Sequence, residues 1–319
     1  MIESEKRTGA EAAGGLVATN GGPLRLDRAF RMRFADRAFR WFCLAGSAFV
    51  CLVLFGIIVF VGRTGMLTFQ EAGFAEFFFT FEWAPENEAY GAGVFMIGTF
   101  ALTALTLLMA TPLSILVAVF LSEIAPGWLR GFLRPVMDLL VGIPSVVYGY
   151  IGLTVLIPLL REWTGAGLGD GLLAASIVLT FMILPTISRI SDDAISSVPR
   201  KYRDAAYALG STRFQVIARV VLPASRRGIV AAIILGMARA IGETMAVVMV
   251  IGNAAQLPEG LLYPTSVLTT TIVGQVLNVP FDSTWSYSLY LMAFLLLAIS
   301  LLLILIIRWL QRKGELANE

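Results

Sequence analysis

The stretch Trp41–Val61 reads WFCLAGSAFVCLVLFGIIVFV, 21 residues without a single charge. As a helix rising 1.5 Å per residue it is about 30 Å long, the thickness of a bilayer's hydrocarbon core. It is too long for a signal-peptide core, and residues 1–40 before it are polar with no earlier apolar run. Comparable runs follow at 94–121, 135–160, 171–188, 228–251 and 287–309, which predicts six crossings. Composition agrees. Of 319 residues, 57% are hydrophobic and 14% charged, whereas a soluble domain carries about a quarter charged residues. The expected fold is all-α and polytopic, with a polar and disordered extension over 1–36, a membrane domain over 37–313 and a short tail over 314–319.

Several chemistries are excluded. The chain has no histidine, so imidazole metal sites and Ser-His-Asp hydrolysis are unavailable. Cys43 and Cys51 would sit about 12 Å apart on one helix, too far for a disulfide. The three lysines, Lys6, Lys201 and Lys313, lie in no Gly-x-x-x-x-Gly-Lys-Ser/Thr loop, so any ATP is hydrolysed by another chain. A net charge of +2 leaves no bulk-charge argument for nucleic acid. Placement of charge is informative. With the N-terminus inside, 21 of the 24 Lys and Arg fall on the inner side, only Arg63 and Arg161 outside, and Arg239 within a span. Both termini are therefore expected in the cytoplasm.

The connection 62–93 holds five glutamates, Arg63 and the aromatic group Phe77, Phe78, Phe79, Phe81 and Trp83. It suits either a segment at headgroup level or a docking surface. The connection 253–286 has no basic residue, and Leu268 to Leu277 reads as a short helix or as plain connection. No internal repeat is evident, which weakens an inverted-repeat secondary transporter.

The inner connection 189–227 carries two short helical patterns. Pro199 suits a first turn with Ser196 or Ser197 as cap, and Tyr202, Ala206 and Leu209 recur on one face. Gly210 is a stop, Ser211 a cap, and Phe214, Ile217, Val220 and Val221 form an apolar side that Leu222-Pro223 closes. The alternative is a solvated loop held to headgroups by its arginines. Asp204-Ala205-Ala206, three residues, Gly210, nine residues, then Val220-x-Leu222-Pro223 resembles the EAA loop of ABC importer permeases, departing from it at Asp204 for glutamate and Val220 for isoleucine. That resemblance implies a MetI-like permease architecture, with the loop seated in a groove of a separate ATPase subunit and the short side chains of Ala205 and Ala206 allowing close entry.

Arg239 lies 11 residues beyond Gly228, about 16 Å into the fifth predicted span. A charge there costs about 2.5–3.5 kcal/mol on insertion scales. Arg239 and Glu243 are i and i+4, so on a continuous helix they share a face and can bond each other, with Thr244 beside them. Two readings stand: a self-neutralising pair that glues helices, or a guanidinium that offers its planar fork to a tetrahedral oxyanion while Glu243 holds it and prevents trapping. Pro144 frees a backbone carbonyl, so Ser145 and Tyr148 either line the same path or pack at a kink.

The segment from Arg239 to Asn253, with Gly142-Ile143-Pro144-Ser145 through Tyr148-Gly149 and Ala110-Thr111-Pro112-Leu113-Ser114, is similar to the PstC-type permease of the phosphate ABC importer, over about Phe39 to Lys313. The resemblance implies phosphate translocation at Arg239 and Glu243 and location in a bacterial inner membrane. It also implies a PstA-like second permease, a PstB-like ATPase pair holding ATP and Mg, and a PstS-like phosphate-binding protein. No cofactor or metal is expected on this chain. The alternatives are a permease for sulfate, molybdate or tungstate, or a secondary transporter or channel in which Arg239 and Glu243 gate.

Overall fold

The computed structural model describes residues 23–165 and 167–316, with side chains over 39–165 and 167–309. It forms two units, one ending at Ile57 and the other starting at Ile58. The described residues of the first are 23–57, the greater part of α1 (Pro23–Met66), which continues into the second; its residues 39–60 are exposed within this chain. Cys43 and Cys51 lie there as free, exposed thiols. The expected disordered extension is corrected over 23–36, which is helical. Pro23 suits a first turn, and the Leu, Arg, Ala and Met that follow are strong helix formers. Residues 1–22 and 317–319 lie outside the described residues.

The second unit follows α1 with α2 (Phe74–Phe79) and a two-residue hairpin, β1 (Trp83–Ala84) and β2 (Ala89–Tyr90), paired antiparallel. Next come α3 (Gly93–Val119), α4 (Gly127–Val141), α5 (Ser145–Ile151), α6 (Ile157–Thr164) and α7 (Leu172–Ser196). Then follow α8 (Arg200–Ala208), α9 (Arg213–Val216), α10 (Leu222–Gly242), α11 (Met245–Val248), α12 (Leu268–Gln275) and α13 (Thr284–Leu316). Six stretches of the described residues are long and apolar enough to cross a membrane: Phe39–Gln70, Gly93–Ile124, Ser145–Thr164, Leu172–Ser196, Arg213–Gly242 and Thr284–Trp309. The fold is all-α and six-span, as the apolar runs predict.

Helix α7 is the axis of the second unit, with Leu179, Met182, Ile183 and Ile187 fully buried and α3 and α10 packed along it. The closeness of α10 comes from absent side chains. A Cβ on Gly228 would stand 2.3 Å from Ala194 Cβ, and one on Gly236 would stand 2.5 Å from Ile187, the small-residue approach that membrane helices use. Hydroxyls add cross-links at depth: Ser114 donates to the Leu184 carbonyl (3.3 Å) and Thr180 to that of Thr106 (3.4 Å).

Two predicted spans differ in register. The third, expected at 135–160, is broken: α4 is a separate amphipathic helix, and the crossing begins only at Ser145. Gly142 is a poor helix former, and Pro144, in extended conformation with ψ 138°, restarts the chain as the cap of α5. The fifth, expected at 228–251, runs instead from Arg213 to Gly242. Its early start reflects Pro223 sitting in the first turn of α10, after a widened π turn over Ile217–Val221 that accommodates the missing N–H. Its early stop reflects Glu243, which leaves the helix with ψ 128°.

The aromatic connection after α1 is partly interior. Phe77 is fully buried among Ala92, Phe95 and Met292, while Phe74, Phe79 and Phe81 stay exposed. The later connection 253–266 is clamped to α3 at Gly98, where a Cβ would lie 2.3 Å from the Ser266 carbonyl oxygen. Gly98→Ala is therefore expected to cost about 1–3 kcal/mol by overpacking and to lower the thermal midpoint of the purified chain in detergent. An unchanged midpoint would show that the connection is not held against α3.

Candidate translocation path and coupling surface

Arg239 occupies the last turn of α10 and is half-buried. Its Nη1 donates to Thr186 Oγ1 of α7 at 3.1 Å. Thr186 lies 14 residues from Leu172 and 10 from Ser196, about 21 and 15 Å from the two ends of α7, so the guanidinium sits near mid-depth. The expected bond to Glu243 does not form. The i, i+4 geometry needs a continuous helix, and α10 ends at Gly242. The ion pairs among the described residues do not include Arg239. The Glu243 carboxylate accepts instead from the Ala246 N–H (3.3 Å), capping α11, and its backbone carbonyl accepts from Thr269 Oγ1 (3.2 Å) on α12. Thr244 is half-buried in the same break, its hydroxyl donating to the Gly242 carbonyl at 3.3 Å.

Tyr148 joins this level. Proline at 144 has no N–H for the carbonyl four residues back, at Leu140, and the Tyr148 hydroxyl donates to that oxygen at 2.9 Å. Tyr148 is also close enough to Arg239 for a direct electrostatic interaction. Helix α5 is held by Gly149, whose Cβ would lie 2.9 Å from the Ala246 Cα. Ser145, half-buried at the start of α5, makes no side-chain hydrogen bond to Arg239 or Glu243. Arg239 thus bonds Thr186 at the end of α10, Glu243 meets Thr269 at the break that follows, and Tyr148 lies within electrostatic reach of Arg239.

The end of the chain that carries the basic loop is pinned by ion pairs that sequence spacing did not reveal. Asp192, fully buried, receives Nε and Nη2 of Arg134 at 2.8 and 2.9 Å. Arg189 bonds Asp138 at 2.9 Å, Asp193 at 3.2 Å and Asp192 at 3.5 Å. These contacts strap α4 to the C-terminal turns of α7. Arg134 and Asp138 stand at i, i+4 on α4, and Arg189 with Asp192 and Asp193 at i, i+3 and i, i+4 on α7. That periodicity was the available signal.

The loop after α7 is an ordered helical knob. Arg203 on α8 binds Glu123 Oε1 at 2.6 and 3.1 Å and donates to the carbonyls of Ile195 and Val198. Arg213 donates to the Glu123 carbonyl. Both members of the Arg203–Glu123 pair are largely buried, so the knob's orientation is fixed to the end of α3. The expected shared apolar face of Tyr202, Ala206 and Leu209 is corrected: Ala206 packs inward, whereas Tyr202 is 50% and Leu209 87% exposed. Helix α8 ends at Ala208, so Leu209 no longer follows the helical register. Asp204 and Ala205 are exposed, and Gly210 turns outward with φ +78° and open space around it. The cap of the next segment is Thr212, reciprocally bonded with Gln215, rather than Ser211. Pro199 is itself the cap of α8. Leu222, half-buried, and exposed Pro223 do not close a helix but lead into α10.

Among the described residues no group of three or more His, Cys, Asp or Glu could hold a metal ion. The chain is thus a six-span helical membrane protein with a short helical knob after α7. Residues 110–314 match the model of the binding-protein-dependent transport system inner membrane component. The chain belongs to that family and is an ABC importer permease, a multi-pass inner-membrane protein. It is 45% identical over 263 residues to the probable ABC transporter permease protein YqgH of Bacillus subtilis, covering 81% of this chain and 85% of that one. It is 35% identical over 313 residues to the phosphate transport system permease protein PstC of Xylella fastidiosa (strain 9a5c), covering 92% and 94%. Among solved structures, a bacterial alginate ABC transporter in complex with an alginate pentasaccharide-bound periplasmic protein aligns with TM-score 0.59 at 17% identity. That alignment covers 88% of this chain and 96% of the other, and supports the fold alone.

Asp192→Ala leaves two guanidiniums around a buried vacancy, and removing one partner of a buried pair costs about 3–5 kcal/mol. Because Arg134 and Arg189 remain about 30% and 29% exposed, the lower part of that range is expected. Thermal denaturation should show it, with the same loss for Asp192→Asn absent or smaller. Equal stability of Asp192→Ala and the parent would show that the strap carries no load.

Proposed function

We propose that the chain is the permease subunit of an ATP-driven importer of inorganic phosphate, with Arg239 the anion-contacting group of the path. The observation that carries this reading is a permanently charged guanidinium near mid-depth whose partner is a neutral hydroxyl. A charge so placed costs about 2.5–3.5 kcal/mol unless something offsets it, and a passing oxyanion is the complement that the fold itself does not supply. The planar fork suits two oxygens of a tetrahedral anion. Similarity to PstC of Xylella fastidiosa over nearly the whole chain favours phosphate among the oxyanions. Tyr148 and Thr244 flank the same level, Ser145 opens the helix that carries Tyr148, and Glu243 places a negative charge at the break, which keeps the anion from being held permanently.

The assembly we propose pairs this chain with a PstA-like second permease, above a PstB-like ATPase pair that binds ATP and Mg and below a PstS-like phosphate-binding protein. Phosphate passes chemically unchanged. The basic side, where 21 of 24 Lys and Arg fall, faces the cytoplasm together with both termini. The knob of α8 and α9, with Tyr202, Asp204, Ala205, Leu209 and Gly210 outward, enters the ATPase groove, while Ala206, Leu222 and Pro223 connect it to α10.

Reconstituted with these partners in proteoliposomes, Arg239→Ala is expected to assemble normally and to lose ATP-dependent phosphate uptake by at least tenfold. Normal uptake by that variant removes the role assigned to Arg239, and preferential competition by sulfate, molybdate or tungstate reassigns the substrate. At Gly210, a side chain meets a backbone conformation that costs about 1–2 kcal/mol for L-residues and stands at the tip of the knob. Gly210→Leu is expected to leave ATP hydrolysis running while uptake falls. Unchanged coupling would count against the knob as the transmitting element.

A further inference from the structure

Beyond α11 the chain reverses through Gly252 (φ +90°) and Asn253 (φ +52°) and returns as α12. A cavity of about 310 Å³ lies between these segments and Phe95 of α3, and its polar lining is Asn253, Ser266, Thr270, Thr271 and Gln275. That volume equals about ten waters at roughly 30 Å³ each, enough for a tetrahedral anion with part of its hydration. No charged residue lines it.

The chemistry of the neighbours fixes which way each amide points. Trp285 Nε1 bonds the Gln275 carboxamide at 2.9 Å; an indole only donates, so the bonded atom is Oε1, and the NH₂ is the end left to donate. Asn253 bonds the Val248 carbonyl at 2.6 Å; a carbonyl only accepts, so the bonded atom is Nδ2, and Oδ1 is left to accept. The hydroxyls of Ser266, Thr270 and Thr271, each more than nine-tenths buried, form four contacts of 3.0–3.1 Å among themselves and with the Val267 carbonyl. The Val267 N–H also donates to Thr270 Oγ1 at 3.2 Å, and each hydroxyl oxygen can accept as well as donate. The lining therefore combines an amide donor at Gln275 with an amide acceptor at Asn253 and hydroxyls that serve as either.

Resting on the phosphate reading above, we infer that this cavity is an oxyanion subsite, separate from Arg239, that selects hydrogen-bearing tetrahedral anions over fully ionised ones. Hydrogen phosphate and arsenate bring both oxygens that accept and an O–H that donates. Sulfate at neutral pH brings no proton and offers nothing for Asn253 Oδ1 to accept. A neutral lining discriminates without holding the anion by net charge, and α12 links the cavity to the break through the Thr269–Glu243 hydrogen bond.

The test uses the assembled permease–ATPase complex in nanodiscs without the binding protein, probed by equilibrium binding of labelled phosphate with arsenate and sulfate as competitors. The expected parent shows arsenate competing at least tenfold better than sulfate. Asn253→Gly, which keeps the positive-φ backbone, and Thr271→Val, which keeps the shape, are each expected to bring that ratio to within about threefold without changing assembly or basal ATP hydrolysis. If both variants keep the parental ratio, or if sulfate competes equally in the parent, the cavity assignment is overturned. Proteoliposome uptake separates the two claims: a parent complex that imports no phosphate sinks the underlying reading, whereas import with an unaltered anion ratio in both variants sinks the cavity alone.

Discussion

A guanidinium near the middle of an apolar helix bundle is the constraint around which this chain is arranged. Hydrocarbon gives Arg239 no solvation, and this fold gives it a single hydroxyl. The bond to Thr186 is available because α10 lies very close to α7, and that closeness exists because Gly228 and Gly236 present no side chain to Ala194 and Ile187. The break after Gly242 then turns Glu243 away, so the opposite charge four residues on does not neutralise the arginine. Glycines, helix end and hydroxyl together leave one cation with spare donors at a depth where spare donors are costly.

Three other arginines are paired with carboxylates. Arg134 and Arg189 face Asp138 of α4 and Asp192 and Asp193 at the C-terminal end of α7, and Arg203 is buried against Glu123. These charges behave as cross-links. One group fixes α4 to α7, and the other fixes α8 to the end of α3, so the exposed knob cannot shift without displacing helices that lead towards Arg239. A rigid connection of this kind is what a subunit needs if force from a partner is to alter the path, because a loop held only by headgroups would absorb the motion.

The sequence made the six apolar crossings and the helical loop readable, because transfer from water and helical periodicity are local properties of 20-residue and 10-residue windows. Register was less readable. A hydropathy run ignores a proline that restarts a helix, which is why the third crossing begins at Ser145 instead of 135, and it cannot register a π turn that lets Pro223 continue one. The Arg239–Glu243 pairing failed for a related reason: the i, i+4 rule assumes a continuous helix, and Gly242 followed by an extended residue removes that premise. Thr186, 53 residues from Arg239, and Glu123, 80 residues from Arg203, become neighbours only through tertiary packing. No local pattern encodes such pairs.

The order of charges along α7 gives the proposed path a direction. At the level of Thr186 the guanidinium is bound to a neutral partner. One turn nearer the basic end, Arg189 is already held by Asp138 and Asp193, and a further turn on Arg134 is held by Asp192. Two guanidiniums against three carboxylates leave that strap with one excess negative charge, so it repels an anion and does not store it. On the reading proposed above, an oxyanion passing from Arg239 toward the C-terminal end of α7 meets this net negative cluster. The strap that carries this charge ties α4 to the same C-terminal end of α7 from which the helical knob follows.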